Sequence, residues 1–233
     1  MSKEPVRINK YLSQAGFCSR READKLMEQG RVSINGQFIE KGTKVNPGEQ
    51  VFVDGKLVEF ETEEKVYLAV NKPKGVVCTT NSRVEKNNIV DLVDYPTRIF
   101  PIGRLDKMSE GLILMTNDGE IVNHILRARH YHDKEYLVTV DKPITDLFIE
   151  KMSAGVPILD TITRKCKVEK LGERRFKIIL TQGLNRQIRR MCEALDYRVR
   201  TLKRTRIKNI TLDLEKGDYR DLTPEEVEDL YKI

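Results

Sequence analysis

The sequence predicts an α+β protein in two parts: a small helix-and-hairpin domain at residues 1–60, and a larger domain at 66–233 built on a mixed, mostly antiparallel sheet with flanking helices. Three observations carry this. Apolar residues recur at helical spacing between Arg7 and Gly30 and are followed by two Asx-Gly hairpin signals. Residues 61–65 are polar, pair with no apolar pattern and read as a linker. Beyond Val66, apolar or alternating runs of strand length are separated by turn formers and a few helical stretches.

In the first domain Ile8, Tyr11, Leu12 and Ala15 share a helix face, and Gly16 supplies the left-handed residue that can end the helix. Ser19-Arg20-Arg21-Glu22 has the form of a capping box opening a second helix that stops at Gly30. Val32-Ser33-Ile34 and Phe38-Ile39 flank Asn35-Gly36, and Val51-Phe52-Val53 and Leu57-Val58 flank Asp54-Gly55, so two hairpins follow. The helix pair and its exit carry Arg7, Lys10, Arg20, Arg21, Lys25 and Arg31. By pattern alone such a charged face is ordinarily just solvated.

In the second domain Val66 to Asn71 is a strand, interrupted by the turn Lys72-Pro73-Lys74-Gly75 and resumed at Val76 to Thr79. Asn81 to Asn88 is a polar loop. The apolar run Gly111 to Met115, bounded by turn formers, predicts a buried strand, and Asn117-Asp118-Gly119 can cap a helix through Ile121 and Ile125. Glu135 to Val140 alternates like a strand, and Thr145 to Ser153 is a short helix. Thr163 to Glu169 and Arg174 to Thr181 predict antiparallel strands with one buried face. Asn185 is placed to cap a helix from Arg186 to Leu195, whose Ile188, Met191, Cys192 and Leu195 face inward. Strands at Val199 to Leu202 and Ile207 to Leu212 precede a last helix capped by Thr223-Pro224-Glu225-Glu226.

Composition narrows the function classes. The chain of 233 residues carries a net charge of +6, but Arg164 to Lys208 alone holds 16 Lys or Arg against 4 Asp or Glu, a local net of +12. Because these cations fall within strand and helix patterns, they predict a shaped surface for a polyanion, nucleic acid ahead of an anionic membrane. No apolar run approaches the roughly 20 residues that span a bilayer, and Met1 to Lys10 lacks the apolar core of a signal peptide. Cytoplasm is the expected location and a monomer the default. Cys18, Cys78, Cys166 and Cys192 are scattered, which suggests neither disulfides nor a cysteine zinc site. His130 and His132 form a His-x-His pair without a further ligand at suitable spacing, so no metal is expected. With no glycine-rich phosphate loop, no cofactor is expected either.

The stretch Gly103-Arg104-Leu105-Asp106-Lys107 places one carboxylate on the loop that feeds the buried strand. A loop carboxylate can be a nucleophile, an acid or base, or a metal ligand. An Asp between two cations is also a common surface ion pair. Tyr136 near a strand start is ordinarily a core residue, and Arg189 and Arg190, flanking the apolar stripe of their helix, are ordinarily surface groups.

The run from Gly103 to Asn117, with Ser109, Gly111, the apolar Leu112 to Met115 and Thr116 in register, resembles the signature of the RsuA-like ribosomal pseudouridine synthases. Lys134-Glu135-Tyr136 and Asn185-Arg186-Gln187-Ile188-Arg189-Arg190-Met191 resemble two further motifs of that family. Arg7 to Leu12, Ser19 to Ala23 and Gly30 to Gly36 resemble the RNA-binding domain named after ribosomal protein S4. The resemblance covers nearly the whole chain and is greatest to the RluF branch, which acts on large-subunit ribosomal RNA and has near relatives acting on a tRNA anticodon loop.

The resemblance implies an enzyme that breaks the bond between a uracil nitrogen and its sugar, turns the base and rejoins it through carbon. Asp106 would be the catalytic carboxylate, by attack on the sugar or by removal of a sugar proton, Arg189 its partner, and Tyr136 the ring that stacks on the base. A free carboxylate is ionised at pH 7, so no activating base is needed. Arg104, Lys107, Arg186 and Arg190, with Arg7, Lys10, Arg20, Arg21, Lys25 and Arg31, are the candidate RNA contacts. Two other classes compete: a non-catalytic S4-type RNA-binding or ribosome-assembly protein, and a metal-dependent nuclease using Asp106.

Overall fold

The computed structural model describes residues 4–59, 64–80, 85–126 and 132–232, except the side chains at 123 and 126. The chain divides into two compact units, Met1–Lys65 and Val66–Ile233.

The first unit runs β1 (Val6–Arg7), α1 (Ile8–Gln14), α2 (Arg20–Glu28), β2 (Val32–Ile34), β3 (Gln37–Phe38), β4 (Lys44–Val45), β5 (Val51–Val53) and β6 (Lys56–Leu57). The Ser19 hydroxyl accepts from the Glu22 N–H at 3.2 Å and so fixes the start of α2. Asn35 (φ 49°) and Gly36 (φ 83°) both take positive φ, as do Asp54 and Gly55, which is the backbone twist that two-residue hairpins require. The sheet order is β3-β2-β5-β6, and Val32, Ile34, Val51 and Val53 pack on Ile8, Leu12, Ala23 and Met27 of the helices. The short pairing of β1 with β4 was not signalled by the sequence, because two-residue strands leave no periodicity to read.

The second unit opens with β7 (Tyr67–Lys72). The expected continuation at Val76 to Thr79 does not form: Val77 makes only a single bridge, to Asn88. The chain turns instead into an unanticipated helix, α3 (Ile89–Val93), capped by the Asn88 side chain, which accepts from the N–H groups of Val90 and Asp91. The loop expected at 81–88 lies partly outside the described residues.

Then come β8 (Phe100–Ile102), β9 (Glu110–Thr116), α4 (Gly119–Leu126) and β10 (Lys134–Val140). Next are α5 (Asp146–Ala154), β11 (Pro157–Ile158), β12 (Thr161–Ile162), β13 (Lys167–Gly172) and β14 (Arg175–Leu180). The chain closes with α6 (Gln187–Ala194), β15 (Val199–Ile207), β16 (Ile210–Thr211), β17 (Tyr219–Asp221) and α7 (Pro224–Tyr231). β13 starts later than expected because the N–H groups of Thr163, Arg164 and Cys166 donate instead to the Val156 carbonyl, Gln182 Oε1 and the Ser153 carbonyl. The two strands expected around Leu202 and Ile207 are one nine-residue strand, β15, followed by the short β16.

Nine strands form one sheet in the order β13-β14-β10-β15-β9-β7-β17, with β16 added to β15 and β8 to β9. All pairs are antiparallel except β15 with β9, which join in parallel through Lys203–Glu110 and Arg204–Gly111. Every residue of β9 is buried because both faces are covered. Ile113 and Met115 pack with Leu68 and Val70 beneath α3, whereas Leu112 and Leu114 pack with Ala69 beneath α4 and α7. A separate core joins Val138, Phe176 and Ile178 of the sheet to Phe148 and Met152 of α5 and Ile188, Met191 and Cys192 of α6. The mixed, mostly antiparallel α+β architecture is therefore as expected.

Candidate active site

The loop between β8 and β9 is pinned at both ends. Gly103 turns with φ 76°, Leu105 is buried, and the Leu105 N–H points at the Cys78 sulfur at 3.3 Å. The Ser109 N–H closes the loop on the Asp106 carbonyl at 2.9 Å. Asp106 thus stands on a fixed loop at the start of a fully buried strand, with its side chain about a third exposed.

Arg189 reaches this loop from α6. Its Nη2 donates to the Met108 carbonyl at 3.2 Å and to the Ser109 hydroxyl at 3.3 Å, and its Nε lies 3.9 Å from Asp106 Oδ2. Arg189 is 9% exposed, and burial, reinforced by Arg186, holds its pKa below the usual arginine range while Asp106 opposes the shift. Arg186 approaches the same Oδ2 with Nη1 at 3.8 Å. Both separations are too long for direct hydrogen bonds, so Asp106 is held electrostatically and keeps its lone pairs for another partner.

α6 presents these two arginines in an unanticipated way. Asn185 does not cap it; the N-cap is Arg186, left-handed at φ 50°, with no side-chain cap. Gln187 fixes the entry instead, accepting from the Leu184 N–H at 3.0 Å. With Ile188, Met191 and Cys192 turned inward, Arg186 and Arg189, three apart, share the face toward Asp106. Arg190 falls outside it and donates to the Asn185 backbone and side-chain oxygens at 3.1 and 3.3 Å.

Tyr136 lies on β10, directly opposite Arg204 of β15. A bulge in β15 between these strands places Ile207 opposite Lys134, while Arg206 turns to Asp133 and Glu135. Lys134 and Tyr136, two apart, point to one face. Together these elements enclose a cavity of about 310 Å³ whose polar lining includes Arg104, Asp106, Ser109, Lys134, Tyr136, Arg186, Gln187, Arg189 and Arg204, with Leu105, Leu184, Ile188 and Leu202 as apolar wall. The sequence-derived trio of Asp106, Tyr136 and Arg189 therefore lies around one cavity. A chamber of this size, partly apolar, with one carboxylate among cations, suits a flat polar ring attached to an anionic backbone.

A family model described as RNA pseudouridylate synthase matches residues 66–194 of the chain. The chain belongs to the RNA pseudouridylate synthase family. A second model, the S4 domain, matches residues 6–51 of this synthase. It is 57% identical over 230 residues, 98% of its length and 79% of the relative's, to the dual-specificity RNA pseudouridine synthase RluF of Escherichia coli K12. It is 35% identical to the ribosomal large subunit pseudouridine synthase B of Bacillus subtilis, covering 96% of this chain and 95% of that one. A crystal structure of a pseudouridylate synthase superposes with a TM-score of 0.71 at 30% identity, over 97% of this chain and 99% of the other. The synthase is an isomerase that acts on RNA.

The remaining candidates are spread more widely. Arg104 lines the cavity, but Lys107 does not; it pairs with Glu85 at 3.1 Å. In the S4 unit Arg7, Arg20, Arg21 and Lys25 are exposed and Lys10 is half-buried. Arg31 is held by both carboxylate oxygens of Asp54, its Nε at 2.8 Å from Oδ1, which holds the Asp54 carboxyl below the usual range. Of the His-x-His pair, His130 lies outside the described residues. Among the described residues no helix is long and apolar enough to cross a membrane, and no three potential metal ligands cluster.

The sequence reading did not single out two cations of the cavity, Lys134 and Arg204, as site residues. Lys134 was detectable, since it precedes Tyr136 by one strand period. Arg204 was not, because an arginine in a basic strand gives no sign of being 4% exposed.

Proposed function

We propose that this synthase converts a uridine of 23S ribosomal RNA to pseudouridine, with Asp106 as the catalytic carboxylate, Arg189 as its positioning cation and Tyr136 as the stacking ring. The observation that carries this reading is the approach of Arg189 to Asp106 Oδ2 at 3.9 Å beside a cavity that Tyr136 also lines. The ribosomal reading is supported by the name of the Bacillus subtilis relative, and a second RNA substrate by the words "dual-specificity" in that of RluF; that this second substrate is a tRNA anticodon-loop uridine rests on the resemblance of the sequence.

The target nucleotide first leaves its stack, at a cost of a few kcal/mol if paired and less in a loop. Asp106 then either attacks the anomeric carbon or removes a sugar proton. In both cases the N1–C1′ bond breaks and its electron pair leaves on the uracil. A stack on Tyr136 holds the detached ring by its face and leaves it free to turn in its own plane. Carbon 5 then bonds to the anomeric carbon, displacing the Asp106 carboxylate on the first route or with Asp106 returning the sugar proton on the second, and the proton lost from carbon 5 is balanced by one taken up at N1. Arg189, bonded to Met108 and Ser109, fixes the loop and compensates the carboxylate. Arg104 and Arg186 are the cavity cations suited to flanking phosphates.

The test is pseudouridine mapping of ribosomal RNA and tRNA from cells carrying wild type, Asp106→Ala or no copy. The expected outcome is one or a few sites modified only with wild type, in 23S RNA and in a tRNA. Sites equally modified with Asp106→Ala would overturn the assignment of the carboxylate. Dependent sites in other RNAs alone would overturn the assignment of the substrate.

A further inference from the structure

Two cations of the cavity, the half-buried Lys134 and the buried Arg204, are not explained by the reading above. Lys134 donates one N–H to the His132 carbonyl at 2.9 Å, and among the described residues it pairs with no carboxylate. Arg204 donates Nε to the Leu112 carbonyl, while its Nη2 is buried without a partner. Arg204 is 4% exposed and likewise pairs with no described carboxylate. Burying a charge without a counter-ion is costly, and leaving a donor orphaned adds to that cost. Here two like charges share one wall. Burial and the neighbouring Arg204 push the Lys134 ammonium down to about 8, with Asp133 opposing. Such an arrangement is stable in a working enzyme when an anion occupies the wall for part of the cycle.

Position selects the anion. Lys134 is one strand period from Tyr136, and Arg204 is its cross-strand neighbour, so both cations stand beside the ring and line the same cavity. Arg186, by contrast, is about half exposed beside Asp106, where the RNA backbone would pass. The anion formed beside Tyr136 is the base itself: when the N1–C1′ bond breaks, the electron pair spreads from N1 onto the two carbonyl oxygens. We propose that Lys134 and Arg204 form the anion site for the detached uracil, Lys134 as a direct donor to a carbonyl oxygen and Arg204 through its uncommitted Nη2 after a small side-chain shift. The inference rests on the proposed chemistry at Asp106. A donor placed where charge develops contributes far more in a dry cavity than in water.

The test is single-turnover kinetics on a short RNA bearing the mapped uridine, for wild type, Lys134→Met and Lys134→Arg, with RNA affinity and thermal unfolding measured alongside. Lys134→Met is expected to slow the chemical step by about 10²-fold or more, in line with the loss of one oxyanion donor, while RNA affinity stays within about threefold, roughly 0.7 kcal/mol. Lys134→Arg should restore most of the rate. With 5-fluorouridine in the RNA, whose base anion is stabilised by the halogen, the loss on glycosidic cleavage in Lys134→Met should shrink.

An equal loss with uridine and 5-fluorouridine would overturn the proposal. So would weaker RNA binding with an unchanged rate, which would make the wall a phosphate site. If Lys134→Met does not fold, Lys134→Gln, polar but uncharged, replaces it under the same criteria. Asp106→Ala separates the two readings: a wild type that needs Asp106 but not Lys134 sinks only this inference, whereas activity without Asp106 sinks the reading beneath it.

Discussion

Gly111 and Arg204 meet with no space for a side chain between them. A Cβ on Gly111 would lie 2.8 Å from the Arg204 nitrogen and closer still to its carbonyl oxygen, and Gly111 also holds φ at 105°. This contact joins β9 to β15 in the one parallel pairing of the sheet. It sets the strand bearing Arg204 against the strand that the Asp106 loop feeds.

Gly111→Ala is therefore expected to be destabilising on two counts, backbone strain and backbone overlap. A loss of at least about 2 kcal/mol is expected, since neither can be relieved by a rotamer change. Urea unfolding of the variant against wild type measures it. A change within about 0.5 kcal/mol, typical of a surface site, would show that the two strands can separate freely.

Arg189 makes its contacts with a planar fork, to Met108, Ser109 and Asp106 at once. A lysine keeps the charge and loses the geometry. Arg189→Lys should lower the rate of the chemical step by about 10²-fold, because a catalytic group displaced by roughly 1 Å loses that much, with RNA affinity little changed. Rapid-quench measurements at saturating enzyme separate the two. A variant impaired in binding alone would make Arg189 an RNA contact instead.

Much of this was legible in the chain, and the failures have physical causes. β9 could be read because it is buried on both faces and so is apolar throughout; the hairpins at Asn35-Gly36 and Asp54-Gly55 could be read because positive φ restricts residue choice. Asp106, Tyr136 and Arg189 could be singled out only by family motifs, since each residue alone has a commonplace explanation. α3 was missed because its cap, Asn88, looks like any loop asparagine, and β15 was split because its charged residues mask a strand whose Arg204 is buried. The pairing of Lys107 with Glu85 and of Arg31 with Asp54 depends on tertiary neighbours 22 and 23 residues distant in sequence.

The C-terminal helix gives a prediction in pH. Thr223 and Glu226 form a complete capping box, and the Glu226 carboxylate also accepts from Arg220 at 2.8 Å through both oxygens. Arg220 holds the Glu226 carboxyl below the usual range, with burial opposing. A depressed folded pKa means stability that is full above the unfolded value of about 4.3 and is lost as pH falls through the folded value. Thermal midpoints should drop below that pH in wild type and drop less in Glu226→Gln. Parallel curves would show that the pair contributes nothing to acid sensitivity.

The S4 unit gives a prediction in salt. Arg20, Arg21 and Lys25 are exposed along α2, whereas Arg31 is held by Asp54. Each exposed cation that neutralises a phosphate should contribute roughly 0.7 to 0.9 to the slope of log affinity against log salt. Arg21→Gln is therefore expected to flatten the slope by about that amount, with no change in the chemical rate. Arg31→Gln combined with Asp54→Asn removes a neutral pair and should leave the slope as it was. The salt dependence of RNA binding, measured by filter retention for wild type and the two variants, checks both. A flatter slope in the double variant would mean that Arg31 exchanges Asp54 for a phosphate on binding, and an unchanged slope in Arg21→Gln would remove that face of α2 from the RNA surface.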